Sequence, residues 1–326
     1  MLTLIYEILT FIIDNSFFIG YNLYFCNVEK IYLDSVGTFN RLYGLPTRHP
    51  LVATVDMRQA ACFANHIEMK GDIYSLFLKN APNCRLKYGR KTYDFEAGTV
   101  VSIAPGQTVI TDLDPEDVSL DAIGIVFHPD LYFGTSLSET IKQFSFFNYS
   151  ELESLHLSDK EREKFEFYYN IIKEEIEQPI DSHSAAVIST NIQLLLEHLQ
   201  RFYDRQFTTR HKENSDIVNQ FEYNLKQYFT EEYPTAIPSV AYFAEKANLS
   251  PSYFSDLIRK ETGTNPKDFI SLFMIEEAKR RLVETKDDIS EIAYRLGFEY
   301  PAHFTRMFKR LVGMTPKEYR TNNNLN

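Results

Sequence analysis

Arg306 stands in the stretch Pro301-Ala-His-Phe-Thr-Arg-Met-Phe-Lys-Arg310. On a helix, Phe304, Met307 and Phe308 would share a buried face, leaving Ala302, His303, Thr305, Arg306 and Lys309 exposed. That exposed face suits the major groove of DNA. Small side chains let the backbone come close, and a guanidinium forks onto guanine O6 and N7 for about 1–3 kcal/mol of discrimination. Fifty residues upstream, Pro251-Ser-Tyr-Phe-Ser-Asp-Leu-Ile-Arg-Lys260 has the same pattern. There Phe254, Leu257 and Ile258 are expected inside, with Ser252, Ser255, Asp256 and Arg259 outside. Asp256 could accept from cytosine N4 or pair with a neighbouring base in the protein itself, an Arg or Lys. Arg259, Lys260, Lys267, Lys309, Arg310 and Lys317 are candidates for phosphate contacts, which position a protein without reading sequence.

The elements that must hold these residues are themselves duplicated. Phe254/Phe304, Gly263/Gly313, Pro266/Pro316, Lys267/Lys317 and Phe269/Tyr319 pair at one offset, as one supersecondary unit used twice would require. In the first copy Val240, Phe243, Ala244 and Ala247 line a short helix that ends at Asn248, and Ser250-Pro251 supplies an N-cap followed by Pro at the first helical position. In the second copy Ile289, Ile292 and Ala293 precede a turn at Gly297-Phe298 and a restart at Pro301. Between the copies, Pro266 to Thr285 is expected to form one helix, with Ile270, Phe273, Met274, Glu277, Ala278, Arg281 and Leu282 in register. Units about one DNA turn apart would meet successive major-groove segments.

Farther upstream the pattern changes. Ile73–Leu78, Cys84–Tyr88, Thr99–Ile103 and Ala122–Phe127 are β-rich runs separated by turn signals, which predicts an antiparallel barrel or jelly roll able to enclose a small ligand. After Pro129 come two amphipathic helices. The first starts at Asp159 behind a Ser158/Glu161 capping box and carries Phe165, Tyr168, Tyr169, Ile172 and Ile176. The second spans about Ser184 to Tyr203 and carries Val187, Ile188, Ile192, Leu195, Leu196 and Leu199. Their apolar stripes would pack on the barrel or meet a second subunit. Residues 205–215, polar and without apolar periodicity, are expected to be a linker, followed by a helix near Asp216–Phe229.

The chain has 34 Lys and Arg against 45 Asp and Glu, a net charge of -11. That balance argues against nonspecific nucleic-acid binding by the whole molecule. From Ser239 onward, however, the count is 14 against 12, so the acid lies elsewhere, at 20 against 33. Cys26, Cys62 and Cys84 have neither CxxC nor zinc-ligand spacing and fit a reducing cytosol. His49, His66 and His128 are scattered and form no HxH pair, so neither a metal site nor a catalytic residue is expected. The apolar first residues are interrupted by Glu7, Asp14 and Asn15 and lack a positive n-region, so they read as an extension rather than a secretory signal or membrane span.

The C-terminal region resembles the AraC/XylS family of bacterial transcriptional regulators. The residues that carry the likeness are Ile289-Ser-Glu-Ile-Ala-Tyr-Arg-Leu-Gly-Phe298, His303-Phe-Thr-Arg-Met-Phe-Lys-Arg310 and Gly313-Met-Thr-Pro-Lys-Glu-Tyr-Arg320. In that family the second helix of each unit enters the major groove, which implies the helices beginning at Pro251 and Pro301. Asp256 departs from the basic or amide residue common at its position. A weaker likeness to the cupin-like sensor module of such regulators rests on Tyr88–Gly98, Ala104–Gly106 and Phe127–Asp130.

The expected architecture is therefore α+β and multidomain. It comprises an extension (1–28), a cupin-like antiparallel β-barrel with a helical dimerisation hairpin (29–204), a linker (205–215) and an all-α tandem helix-turn-helix domain (216–326). The implied function is sequence-specific, double-stranded DNA binding by a cytoplasmic homodimer, without enzymatic activity, cofactor or membrane attachment. RNA polymerase and a small-molecule effector are candidate further partners. Two alternatives remain: a barrel that serves only as a protein-interaction module, and a metal-dependent cupin enzyme fused to the DNA-binding unit.

Overall fold

Alternation along the strands separates two cores. In the computed structural model of the chain, the residues described are 30–61, 67–79, 98–111, 121–150, 153–230, 234 and 236–323. The strands are β1 (Lys30–Leu33), β2 (Val52–Asp56), β3 (Ile67–Gly71), β4 (Tyr74–Lys79), β5 (Thr99–Ile103), β6 (Thr108–Thr111), β7 (Ala122–Phe127) and β8 (Leu155–His156), with helix α1 (Val36–Leu42) after β1. They form a three-stranded sheet ordered β1-β3-β6 and a five-stranded sheet ordered β2-β7-β4-β5-β8. Leu76, Leu78, Val100, Ile125 and Phe127 face a helical layer. Ala53, Val55, Phe77 and Val126, on the opposite face, meet Ile67, Met69 and Val109 of the smaller sheet.

The expected runs Thr99–Ile103 and Ala122–Phe127 are strands, and Ile73–Leu78 is β4 shifted by one residue. One pairing departs from the all-antiparallel expectation: β1 runs parallel to β3, with Lys30 opposite Glu68 and Leu33 opposite Gly71. The connection from β1 through α1 and β2 is long enough to return the chain in the same direction, which a tight hairpin could not do. The expected strand Cys84–Tyr88, most of the cupin-like stretch Tyr88–Gly98, residues 1–29, His66 and the three cysteines lie outside the described residues. Of the other histidines, His49 is buried and accepts from the Leu51 N–H, and His128 accepts from the Asp130 N–H, so both have local structural roles. Among the described residues no cluster of His, Cys, Asp and Glu could hold a metal, and no helix is long and apolar enough to cross a membrane.

The helical layer begins with α2 (Leu137–Thr140), α3 (Asp159–Ile176) and α4 (Ser184–Thr209). The Ser158/Glu161 box caps α3, the Glu161 carboxylate accepting from the Ser158 N–H at 2.8 Å. Contacts between Arg205 and Glu161 and between His198 and Tyr168 make α3 and α4 an antiparallel pair. Phe165, Ile172, Ile188, Ile192, Leu195, Leu196 and Leu199 are each fully buried within the chain. Of the two expected uses for these stripes, packing on the sheet therefore prevails, and Val187 alone among the named positions turns outward, 39% exposed.

Residues 205–215, expected to be a linker, are helical on both sides of Arg210, because α4 runs to Thr209 and α5 spans His211–Thr230. The reason is a polar periodicity. Gln206, Arg210 and Asn214 recur every four residues and are all buried. Gln206 accepts from the His156 N–H and donates to the Ser154 carbonyl. Asn214 donates to the Phe207 carbonyl and to Glu261. Satisfied in this way, polar side chains can line an inward face as apolar ones do.

The remaining helices are α6 (Val240–Lys246), α7 (Pro251–Thr262), α8 (Pro266–Glu284), α9 (Ile289–Arg295), α10 (Pro301–Val312) and α11 (Pro316–Asn323). The duplication extends to length: α6 and α9 have 7 residues each, α7 and α10 have 12.

Candidate nucleic-acid interface

Each unit is built by local rules. Ser250 caps α7, its hydroxyl accepting from the Tyr253 N–H, and Pro251 opens the helix. Gly263 and Gly313 end α7 and α10 in the left-handed conformation, at φ 73° and 84°, each N–H bonding the carbonyl four residues back. The turn before the second helix of each unit also needs a left-handed residue. In the first unit it is Asn248 at φ 54°, in the second Gly297 at φ 81°. Any Cβ on Gly297 would lie 2.6 Å from the Ala236 carbonyl, so glycine is required there for space as well as for φ. The second turn is one residue longer, and Tyr300 at its end gives no side-chain cap.

Phe254, Leu257 and Ile258 on α7, and Phe304 and Phe308 on α10, are buried as expected. Each such side chain contributes about 1.5–3 kcal/mol relative to exposure. Met307 is only half-buried. On α10, Ala302, His303, Arg306, Lys309 and Arg310 are exposed and Thr305 is half-buried. Arg306, Lys309 and Arg310 make no salt bridge among the described residues, so their donors face solvent. Lys267 and Lys317 hold equivalent places, exposed in the first turns of α8 and α11. Helix N-termini favour anions, so both sites suit phosphates. Hydrogen bonds from the Thr315 backbone and hydroxyl, with Lys309 nearby, hold the exposed Glu318 carboxyl below its ordinary range.

The first unit differs. Ser252 and Ser255 are half-buried, and the Ser255 hydroxyl donates to the Pro251 carbonyl within its own helix. Asp256, expected to point outward, is only 13% exposed. It accepts from the Tyr149 hydroxyl at 2.8 Å and pairs with Arg259 at 2.5 Å. Lys260 reaches Asp204 at 3.4 Å. The salt-bridge alternative for Asp256 is the one that forms, together with a bond to the sheet-bearing half of the chain. Tyr149, Glu153 and Tyr253 therefore belong to the setting of this site, although no local pattern marks them. Their contacts join positions about a hundred residues apart, such as Glu153 with Ser250, 97 residues away.

Between the units, α8 is stiffened along its length. Burial alone would raise the Glu277 carboxyl, but hydrogen bonds from Arg280 and Arg281 outweigh it and hold it low. Arg281 also donates to the Phe229 carbonyl at the end of α5. The separation of α7 and α10 is thus set by a helix tied to its neighbour.

A family model described as a helix-turn-helix domain matches residues 243–322, which span most of α6 through α11. The matched C-terminal domain is of the AraC/XylS type, and the match covers about a quarter of the chain. The chain is 38% identical over 77 residues to an uncharacterised HTH-type transcriptional regulator, YobQ of Bacillus subtilis, covering 24% of this chain and 32% of that one. It is 39% identical over 77 residues to the HTH-type transcriptional regulator GlxA of Rhizobium meliloti, covering 24% of each. The solved C-terminal domain of AraT, a response regulator from Geobacillus stearothermophilus, is 28% identical with a TM-score of 0.30, over 32% of this chain and 84% of that one. The chain spans about a third or less of the length of the curated relatives named here. Within the AraC/XylS-type domain, the signature residues Ile292, Ala293, Gly297, Phe298 and Phe304 are those that build the second unit's core and turn.

Proposed function

We propose that the chain is a sequence-specific, DNA-binding transcriptional regulator and not an enzyme. The observation that carries this reading is the duplicated helix-turn-helix, with equal helix lengths and one tied helix between the copies. In this reading α7 and α10 enter successive major-groove segments of one duplex face. Ala302, His303, Thr305 and Arg306 meet base edges, joined by Ser252 and Ser255. Arg259, Lys260, Lys267, Lys309, Arg310 and Lys317 meet phosphates. The sheet-bearing region up to about residue 204 acts as a sensor and dimerisation module, controlled by a small effector.

Full-length protein in a binding-site selection, followed by mobility shifts over a salt series, tests this function. Enrichment of one sequence is expected, with log K falling by about 0.9 per neutralised phosphate for each unit of log salt. Equal affinity for selected and scrambled duplexes would remove sequence-specific regulation as the function.

A further inference from the structure

A cavity of about 220 Å³ lies at the edge of the five-stranded sheet, between β5, the start of β6, the 3-10 turn Ser145–Asn148 and α4. A single water needs only about 10–15 Å³ by this measure. Its walls include Ser102, Val109, Phe146, Tyr149, Ser150 and Tyr203, and no lining residue is charged. Ser102 is 9% exposed, and its hydroxyl has no hydrogen-bond partner among the described residues. It alternates with the inward-facing Val101 on β5, so it looks toward the helical layer and not into the space between the sheets. A buried, unpaired hydroxyl in a roomy cavity is the mark of a site completed by another molecule.

The same walls hold the first reading helix. Phe146 stacks on Tyr203 at 5.3 Å, Tyr203 meets Tyr149 edge-on at 5.2 Å, and Tyr149 meets Tyr253 of α7 at 5.1 Å. The Tyr149 hydroxyl donates to Asp256. Ser150 is tied in as well. The buried Glu153 carboxylate accepts from the Ser150 N–H and also from the N–H and hydroxyl of Ser250, the N-cap of α7. The N-terminal end of a recognition helix is the part that reads base edges. While Tyr149 and Glu153 occupy that end, DNA cannot.

Building on the proposed DNA-binding function, we infer that this cavity binds a small, uncharged, hydroxyl-bearing molecule and that its occupancy holds α7 against the sheet-bearing half, weakening DNA binding. The class follows from the lining: aromatic and aliphatic walls with neutral hydroxyls, where a charged ligand would be desolvated without a partner. The direction follows from linkage. Tyr149 and Ser150 are walls of the cavity in the docked arrangement, so a molecule that fits it binds that arrangement better and shifts the equilibrium toward it.

Benzyl alcohol is a suitable probe, with benzoate as its charged counterpart, in calorimetry and DNA titration on the full chain. Saturable 1:1 binding of benzyl alcohol is expected, with benzoate weaker and Ser102→Ala lowering affinity without lowering Tm. The probe should raise the DNA Kd by about fivefold or more, within the usual range of coupling. Tyr149→Phe, which lacks the hydroxyl that holds Asp256, should bring that factor close to one. DNA binding without the probe tests the regulator function separately. The inference is overturned by any of three results: no saturable binding of benzyl alcohol, so that the cavity holds ordered water only; binding that Ser102→Ala leaves unchanged; or binding that leaves the DNA Kd unchanged.

Discussion

Arg306 and Lys309 lie three positions apart on α10, both exposed, yet their chemistry assigns them different tasks. A planar guanidinium can take two acceptors of one guanine, while a lysine ammonium acts on a phosphate as a point charge. Arg306→Ala is therefore expected to flatten the preference at one base pair, by about 1–3 kcal/mol, and to leave the others intact. Lys309→Ala should weaken all duplexes alike and reduce the magnitude of the salt slope by about 0.9. Selection with each variant, scored position by position, checks the pair; equal and sequence-blind losses from both would refute the division. The exposure of Ala302, His303, Arg306, Lys309 and Arg310 on α10 was legible in the sequence because helical periodicity alone places them away from the buried Phe304 and Phe308. Asp256 was not legible in the same way. Its helical position is outward by local periodicity, and only the arrival of Tyr149, 107 residues away, turns it into an internal contact.

At the level of elements, the caps, α7, α10 and α8 followed from local signals: Pro at the first turn, Gly at the end, and apolar residues at helical spacing. The segment 205–215 did not, because its inward positions are Gln206, Arg210 and Asn214, and an apolar-periodicity criterion passes over them. The parallel β1–β3 pairing was equally hidden, since alternation reports which face is buried and not strand direction. The 19-residue α8 has a direct consequence for DNA. At 1.5 Å per residue it is about 28 Å long, close to the rise of one turn of duplex. Because Arg281, oriented by Glu277 on the same helix, bonds the Phe229 carbonyl of α5, the two units should not adjust freely to altered spacing. A selected site should show two blocks of preference about 10 base pairs apart, and inserting about 5 base pairs between them should cost tenfold or more in affinity. Unchanged affinity after the insertion would mean that only one unit reads DNA.

For the molecule as a whole, the question is which surface is left for a second copy. The apolar stripes of α3 and α4 are buried inside the chain, so the residues that their periodicity picks out, Val187 excepted, are not on its surface. What remains outward are Phe167 on α3, 52% exposed, and Val187 and Leu194 on α4, 39% and 45% exposed. Val187 and Leu194 are two helical turns apart and so share one face of α4. Exposed apolar residues that share one helix face mark an association surface more often than isolated ones do. If the chain dimerises here, Leu194→Glu should give a monomer by sedimentation velocity at micromolar concentration where the parent chain is a dimer. Its Tm should change little beyond the loss of association, because a side chain this exposed contributes little to the monomer's core. Binding to a duplex with one selected site should be retained, while the added affinity of a duplex with two sites should disappear, since that gain comes from linking two binding events. A variant that remains dimeric would move the interface elsewhere, and a parent chain that is monomeric throughout would mean that one copy reads the DNA alone, with its two unequal units supplying all of the contact.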